Sequence, residues 1–416
     1  MVFALINALA GNTSLECYTG DVNALLAYGY DAVKLDGCGA EYDLDLWSSL
    51  ITTLGGGKVI EIENCHWGGT LPNATWCPWN FYRTSGDVRA NFGSILGNLA
   101  TVPPLANKNL STPGCYAYAD MLEVGCAAGP GGSSDSGLTF AESRTHFGGW
   151  CIVSSPLTLS HDVNNDTITD FIWPIISNTE AIAVNQNYFG FSGSSFASTS
   201  NALPDGPGNY VVAVTCNSTD ATQIGWTYST ATQSLSYAGQ CVDTSTGDQV
   251  LLAACTGSAN QKLNYNTATK YFEVVANAGQ CLDIWAGNGE PGGPAVQVYG
   301  CHGGDNQEFA MSGGAVIDGN GSGPLCFASR SSVPGLMNNF YKPMSWDKTK
   351  YAVLLINTDS VPTDLSVSFS DVPGLVFGHQ CMVRDIWAKQ DIGFASGNFT
   401  AKNVDTHDAA FLMLTC

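Results

Sequence analysis

One theme constrains the fold most: a short apolar strand, a polar or acidic residue at its end, then a helix-like stretch, recurring through residues 1–195. Val33-Lys34-Leu35-Asp36 is one such strand end. Val59 to Glu63 is a second, Phe81 to Asp87 a third, Met121 to Val124 follows another, and Pro156 to Asp162 closes the series. Amphipathic stretches such as Leu44 to Leu54 and Val88 to Leu99 lie between them. Strands alternating with helices call for a parallel sheet, either doubly wound or closed into a barrel. A (β/α)8 barrel carries its chemistry at the carboxyl ends of its strands. Neither GxGxxG nor GxxxxGK[ST] occurs, so a nucleotide-binding sheet loses support.

From about Asn201 the helical periodicity stops, and short β-rich runs with many glycines take over. Ala278-Gly279-Gln280-Cys281-Leu282-Asp283 echoes Ala238-Gly239-Gln240-Cys241-Val242-Asp243. Gln223-Ile224-Gly225-Trp226, Gln261-Lys262-Leu263 and Gln307-Glu308-Phe309 close three successive repeats. Repeats of roughly 40 residues built from short strands suit a propeller, and three of them suit a β-trefoil. After Arg330 come strands such as Tyr351 to Ile356, Leu365 to Phe369 and Phe411 to Leu414, at the spacing of a small antiparallel sandwich.

A chain of 416 residues is long enough for two or three domains. Its formal charge of −21 argues against nucleic acid and anionic membrane surfaces as partners. With 44% hydrophobic and 12% charged residues it can bury sizeable cores, which argues against disorder. No run approaches 18 uninterrupted apolar residues, so no membrane span is expected. The cysteines number 15, an odd count, and no CxxC accompanies them; the six histidines are dispersed. Disulfides made in an oxidising compartment therefore fit better than zinc, and no metal or cofactor is expected. Sequons at Asn12, Asn73, Asn109, Asn165, Asn217, Asn320 and Asn398 agree with a secreted or vacuolar glycoprotein. Met1 to Ala10 reads either as a short signal peptide without a basic start or, preferably, as a buried strand.

Two carboxylates stand out. Asp36 follows Lys34 by two residues, so both side chains project from one face of the strand, and the lysine favours the ionised carboxylate. Asp87 ends Tyr82-Arg83-Thr84-Ser85-Gly86-Asp87. Glycoside hydrolysis needs such a pair, one ionised group at the anomeric carbon and one protonated group at the leaving oxygen. Strand-end aspartates also serve as N-caps of the helices that follow, and spacing leaves both roles open.

Larger motifs carry a resemblance. Tyr30-Asp31-Ala32-Val33-Lys34-Leu35-Asp36-Gly37-Cys38 resembles the nucleophile strand of glycoside hydrolase family 27, the α-galactosidases and α-N-acetylgalactosaminidases. Arg83 to Asp87 resembles its acid/base strand, and Pro113-Gly114-Cys115 through Asp120-Met121-Leu122 its next strand. His146 to Asp162 and Ala183-Val184-Asn185-Gln186 resemble its closing strand and last barrel helix, and Val383 to Ala388 its C-terminal sandwich. The resemblance implies a retaining mechanism with Asp36 as nucleophile and Asp87 as acid, then base. It implies Lys34, Cys65, His66, Trp67, Arg83 and Asp120 as substrate-binding residues, with galactose-containing oligosaccharides or glycoconjugates as partners. Trp67 reads equally well as core packing. His66 stands where the family has glutamate, a change that bears on the sugar's second carbon, and Tyr118 stands where it has aspartate.

The family's first two β/α units, with a tryptophan and an Asp-Asp pair, have no counterpart before Met1, so six of eight barrel strands are expected. The middle segment resembles a ricin B-type lectin. In its best repeat Asp283, Asn306 and Gln307 are implied as sugar hydrogen-bonders and Tyr299 as the stacking platform, with Trp285 as a second platform. In the preceding repeat Asp243, Asn260 and Gln261 remain, but Leu252 replaces the aromatic, so no sugar is expected there. The architecture expected is an incomplete (β/α)8 TIM barrel over residues 1–200, a β-trefoil over 207–330 and an antiparallel β-sandwich over 336–416. Its expected activity is hydrolysis of a terminal α-galactoside or a close relative such as an α-N-acetylgalactosaminide or β-L-arabinopyranoside; the rival from another class is a non-catalytic galactose-binding protein or an inactive fragment. Family resemblance suggests disulfides Cys17–Cys38 and Cys65–Cys77, and the repeats suggest Cys241–Cys255 and Cys281–Cys301. Elimination adds Cys115–Cys126, Cys216–Cys326 and Cys381–Cys416 and leaves Cys151 as a buried thiol.

Overall fold

Strand pairing follows chain order at the start of the protein. The computed structural model describes residues 3–6, 14–37, 42–126, 137–196, 210–245, 250–284, 296–318, 324–330, 338–358, 361–378 and 380–416. They form two units, Met1–Asn201 with Met337–Cys416, and Ala202–Leu336. In the first unit β1 (Phe3–Ile6), β2 (Ala32–Asp36), β3 (Glu61–Cys65), β4 (Phe81–Arg83) and β5 (Tyr116–Tyr118) form one parallel sheet in that order. The segment at the start of the chain is thus a strand, with Phe3 opposite Ala32 and Ile6 opposite Leu35.

Helices fill the connections where apolar spacing and a capping side chain coincide. α1 (Leu15–Tyr28) ends at Gly29, whose φ of 78° is the left-handed turn a glycine takes without strain. α2 (Leu44–Leu54) buries Leu44, Trp47 and Ile51 on one stripe and starts at Asp43, whose carboxylate accepts from the Leu46 amide. α3 (Phe92–Ala100) starts at Asn91 in the same way, followed by the single turn α4 (Pro103–Ala106). α5 (Phe140–Ile152) opens with a capping box between Thr139 and Glu142 and is buried on nearly all sides. α6 (Asp166–Ile176) and α7 (Thr179–Gln186) complete the helical layer.

The sixth strand expected at Pro156–Asp162 is a single parallel bridge between Leu122 and Leu159. The Leu122 amide donates to the Thr158 carbonyl, and the Ser160 amide donates to the Leu122 carbonyl. Pro156 has no amide proton to extend that ladder toward its start.

The same unit holds an antiparallel six-stranded sheet, ordered Gln390–Ala395, Cys381–Asp385, Ala409–Thr415, Lys350–Ile356, Asn339–Pro343, Ser194–Ser195. A two-stranded ribbon of Thr363–Ser368 and Asn398–Val404 accompanies it, and Val353, Leu355, Val367, Val383 and Leu412 are buried in their common core. α5 meets this sheet at Gly148, where an added Cβ would lie 3.0 Å from a Leu354 methyl. At Gly149 it would lie 2.8 Å from Leu99 of α3, so the paired glycines let α5 pack on both sides.

The second unit is antiparallel throughout its paired strands, with sheets of eight and four strands among the described residues. Its core gathers Trp226, Leu252, Leu263, Phe272, Leu282, Phe309 and Phe327. Disulfides Cys241–Cys255, Cys281–Cys301 and Cys216–Cys326 form here, and Cys381–Cys416 forms in the sandwich, all as expected. Cys151 is a buried thiol, also as expected.

The cysteines around the parallel sheet differ from expectation. Cys77 is bonded to Cys115, so neither Cys65–Cys77 nor Cys115–Cys126 exists. The reason is strand direction: Cys65 ends β3 with its sulfur turned inward, 3.5 Å from Arg83 Nη1, while Cys77 lies in the surface turn that meets Cys115. Cys126 instead contacts the Ser160 hydroxyl. Cys17 carries no disulfide, and its expected partner Cys38 lies outside the described residues, as do Trp285, Asn12 and Asn320.

Candidate active site

Lys34, Asp36, Cys65 and Arg83 stand at or near the carboxyl ends of β2, β3 and β4, with Lys34 opposite Glu63 and Asp36 opposite Cys65 in the register. The loop after β2 is tied to β3 by the Gly37 amide donating to the Cys65 carbonyl. Neither strand-end aspartate caps a helix, because Asp43 caps α2 and Asn91 caps α3. The capping role that spacing left open is therefore taken by other residues.

Arg83 is buried and organises the next part of the site. Its Nη2 lies 3.1 Å from Asp87 Oδ1 and 3.0 Å from Asp120 Oδ2, and it also donates to the Ser85 carbonyl. Burial works to lower its pKa, but Asp120, Cys65 and Asp87 outweigh that and raise it. Asp87 faces outward, with 62% of its side chain exposed. Asp120 is buried and accepts from the Val88 amide, one residue beyond Asp87, so it anchors the loop that presents Asp87. Asp120 also holds a φ of 86°, a strained backbone for a residue with a Cβ. Burial raises its carboxyl, against the pull of Arg83 and two backbone amides. Asn98 of α3 completes the support by donating to Ser85 Oγ and to the Gly86 and Ala119 carbonyls.

The loop after β3 supplies His66 and Trp67. The Trp67 ring lies over Gly37, where an added Cβ would stand 2.6 Å from the indole, and it is 48% exposed. It is therefore no core residue. His66 pairs its Nδ1 with the Thr70 hydroxyl at 2.9 Å and meets Tyr42 edge-on. Its Nε2 is buried without a hydrogen-bond partner. Burial lowers its pKa, with Asp36 pulling the other way. The Cys65 thiol is pushed up to about 11 by burial, despite Arg83 and Lys34. Tyr118 is buried beside this group, its phenol raised by burial and by Glu63.

Sequence reasoning did not single out Glu63. It is 4% exposed, and its Oε1 lies 3.7 Å from Lys34 Nζ. Its two-residue offset from Cys65 on one strand face was the available signal. Burial raises its carboxyl to about 7, against Lys34.

In the second unit Asp283 is buried and accepts from Gln297, Asn306 and Gln307, each at 2.9 Å, and lies 3.2 Å from His302 Nε2. Tyr299 is 38% exposed and meets His302 edge-on. In the preceding repeat Asp243 accepts from Gln261, and Leu252 is in the core.

Residues 340–414 match the α-galactosidase C-terminal β-sandwich domain. An α-galactosidase of Oryza sativa subsp. japonica is 31% identical over 185 residues, 43% of this chain and 41% of that protein. One from Cyamopsis tetragonoloba is 30% identical over 189 residues, 44% of this chain and 42% of that protein. Over these segments the chain is similar to α-galactosidases. Among solved structures, α-galactosidase I of Mortierella vinacea superposes with a TM-score of 0.52 at 17% identity, covering 99% of this chain and 76% of that one. The α-galactosidase of Saccharomyces cerevisiae, solved with raffinose, gives 0.54 at 15% identity, covering 99% of this chain and 79% of that one. These two likenesses are of fold. The chain spans about two-fifths of the length of the curated relatives it matches.

Proposed function

We propose that the chain is a retaining glycosidase that releases terminal α-linked galactose, or a close analogue, from oligosaccharides or glycoconjugates. The observation that carries this reading is a pair of aspartates, Asp36 ending one strand and Asp87 in the loop after another strand of the same parallel sheet, neither of which caps a helix, with Asp87 3.1 Å from the buried Arg83. Asp36 attacks the anomeric carbon, and the bond to the glycosidic oxygen breaks as Asp87 gives that oxygen a proton. Asp87 then takes a proton from water, whose oxygen displaces Asp36 and frees the sugar. Lys34 donates to sugar hydroxyls, Arg83 holds Asp87 beside the sugar, Trp67 forms an apolar wall, and Cys65 and Asp120 line the remainder. His66 faces the sugar near its second carbon. The α-galactosidase relatives support galactose as the sugar.

The second unit is proposed as a ricin B-type β-trefoil that binds galactose at Asp283, Tyr299, Asn306 and Gln307. The ring of side-chain amides around the buried Asp283 supports that role, since it fixes the carboxylate to accept sugar hydroxyls. The disulfides suit a secreted or vacuolar protein.

Hydrolysis of an aryl α-galactoside by the chain and by Asp36→Asn tests the proposal. At least a thousandfold loss (on the order of 10³) is expected in the variant. Equal inertness of both chains, with galactose bound by the wild type and lost in Asp283→Ala, would instead make the protein a lectin.

A further inference from the structure

Glu63 has no part in the reaction just described, yet it is placed at high cost. It stands inside the parallel sheet, with Lys34 opposite it on β2 and Phe81 opposite it on β4. Its side chain is 5% exposed, and its Oε1 is buried without a hydrogen bond. A buried carboxyl oxygen without a hydrogen bond costs more than a serine or alanine in its place. Among the described residues, the cation within ion-pair distance of it is Lys34, at 3.7 Å.

Lys34 is the complement. It is 24% exposed, two residues before Asp36 and on the same strand face, so its ammonium reaches the site from the inner wall. Burial alone would lower its pKa, but Glu63, followed by Cys65 and Asp120, outweighs that and raises it. An ammonium has three donors. One directed at Glu63 leaves the others for a ligand's hydroxyl oxygens.

We propose that Glu63 is a positioning residue for sugar binding: it holds the Lys34 ammonium from the side away from solvent and fixes the direction of its outward donors. The inference rests on the glycosidase reading and names a residue that this reading does not use. Arg83, Asp120, Cys65 and Tyr118 also face Glu63, but each of the first three is engaged elsewhere, Arg83 with Asp87 and Asp120 and Cys65 with Arg83. Glu63 therefore acts mainly through Lys34.

Two readouts on Glu63→Gln test the role. The first needs no substrate: the rate at which Lys34 is acylated by an amine-selective reagent at pH 9, followed by peptide mass spectrometry. Loss of the neighbouring carboxylate makes the amine more readily deprotonated, and acceleration of about threefold or more is expected. The second is a KM-against-kcat split on an aryl α-galactoside, with KM raised about tenfold and kcat nearly kept. An unchanged acylation rate overturns the pairing. Faster acylation with an unchanged KM overturns the positioning role. If Glu63→Gln does not fold, Glu63→Asp decides by the same measurements, with intermediate changes supporting the proposal and none overturning it. A wild-type chain that neither cleaves nor binds galactosides overturns the glycosidase reading and the sugar-directed role together, while the acylation result still reports on the pair.

Discussion

Burial raises the Glu63 carboxyl from its ordinary 4.5 to about 7, with Lys34 resisting. Between those values the native protein keeps a proton that the unfolded chain has released. Stability from this group is thus fully present below pH 4.5 and is lost as pH rises through about 7. The full swing is at most about 3 kcal/mol, since Lys34 shares the same pair. Urea unfolding of Glu63→Gln should show a flatter dependence between pH 4.5 and 7 than the wild type. A parallel pair of curves would mean that Glu63 does not titrate there. This residue was hidden in the sequence, because Val59 to Glu63 reads as an apolar strand with a polar end. Only the register, which sets Glu63 beside Lys34, turns that end into part of the site. Asp36 and Asp87 were legible because they sit in long motifs, whereas the cysteines near them were not. Which cysteine meets Cys77 depends on which way Cys65 points, and sequence spacing does not contain that direction.

At the scale of elements, α7 ends with carbonyls that the helix itself does not pair, and no basic residue occupies its last turn. The missing donor comes from the sandwich. Lys342, on the strand Asn339–Pro343 and wholly buried, donates to the Val184 and Asn185 carbonyls and to the Ser154 hydroxyl. A strand residue thereby closes α7 at its carboxyl end. Lys342→Met keeps the length but leaves those acceptors buried and unpaired, at a cost of about 1–3 kcal/mol. Guanidinium unfolding would read that loss as a lower midpoint with an unchanged slope; an unchanged midpoint would refute the capping role. The alternation of strands and helices was legible here because apolar spacing is local. Lys342 was not, since a lysine within a sandwich strand reads as solvent-facing until the helix end beside it is known.

At the scale of the whole molecule, the chain leaves its first unit after Asn201 and rejoins it at Met337. An insertion of that kind is tolerated when its two ends lie close together. The second unit meets this condition by its own pairing, with Tyr210–Thr215 running antiparallel to Leu325–Arg330 and Tyr210 opposite Arg330. Cys216–Cys326 ties the other end of the same two strands, with Cys216 one residue past the ladder and Cys326 within it, across a sequence separation of 110. The repeats made the unit legible as an insert, and elimination placed its bond, but the shared ladder appears only once the strands are paired. A loop that long loses considerable unfolded-state entropy when crosslinked, so the bond contributes about 4–5 kcal/mol in the chain-entropy account. Paired replacement of Cys216 and Cys326 by alanine should lower the unfolding transition of the second unit by roughly that amount. Calorimetry would show it as one transition moving while another stays, because each unit has its own core. Aryl α-galactoside hydrolysis should remain near wild type below the new transition, since the proposed catalytic residues lie in the first unit. If both transitions fall together, the ends of the insert are held by the first unit rather than by their own ladder and disulfide.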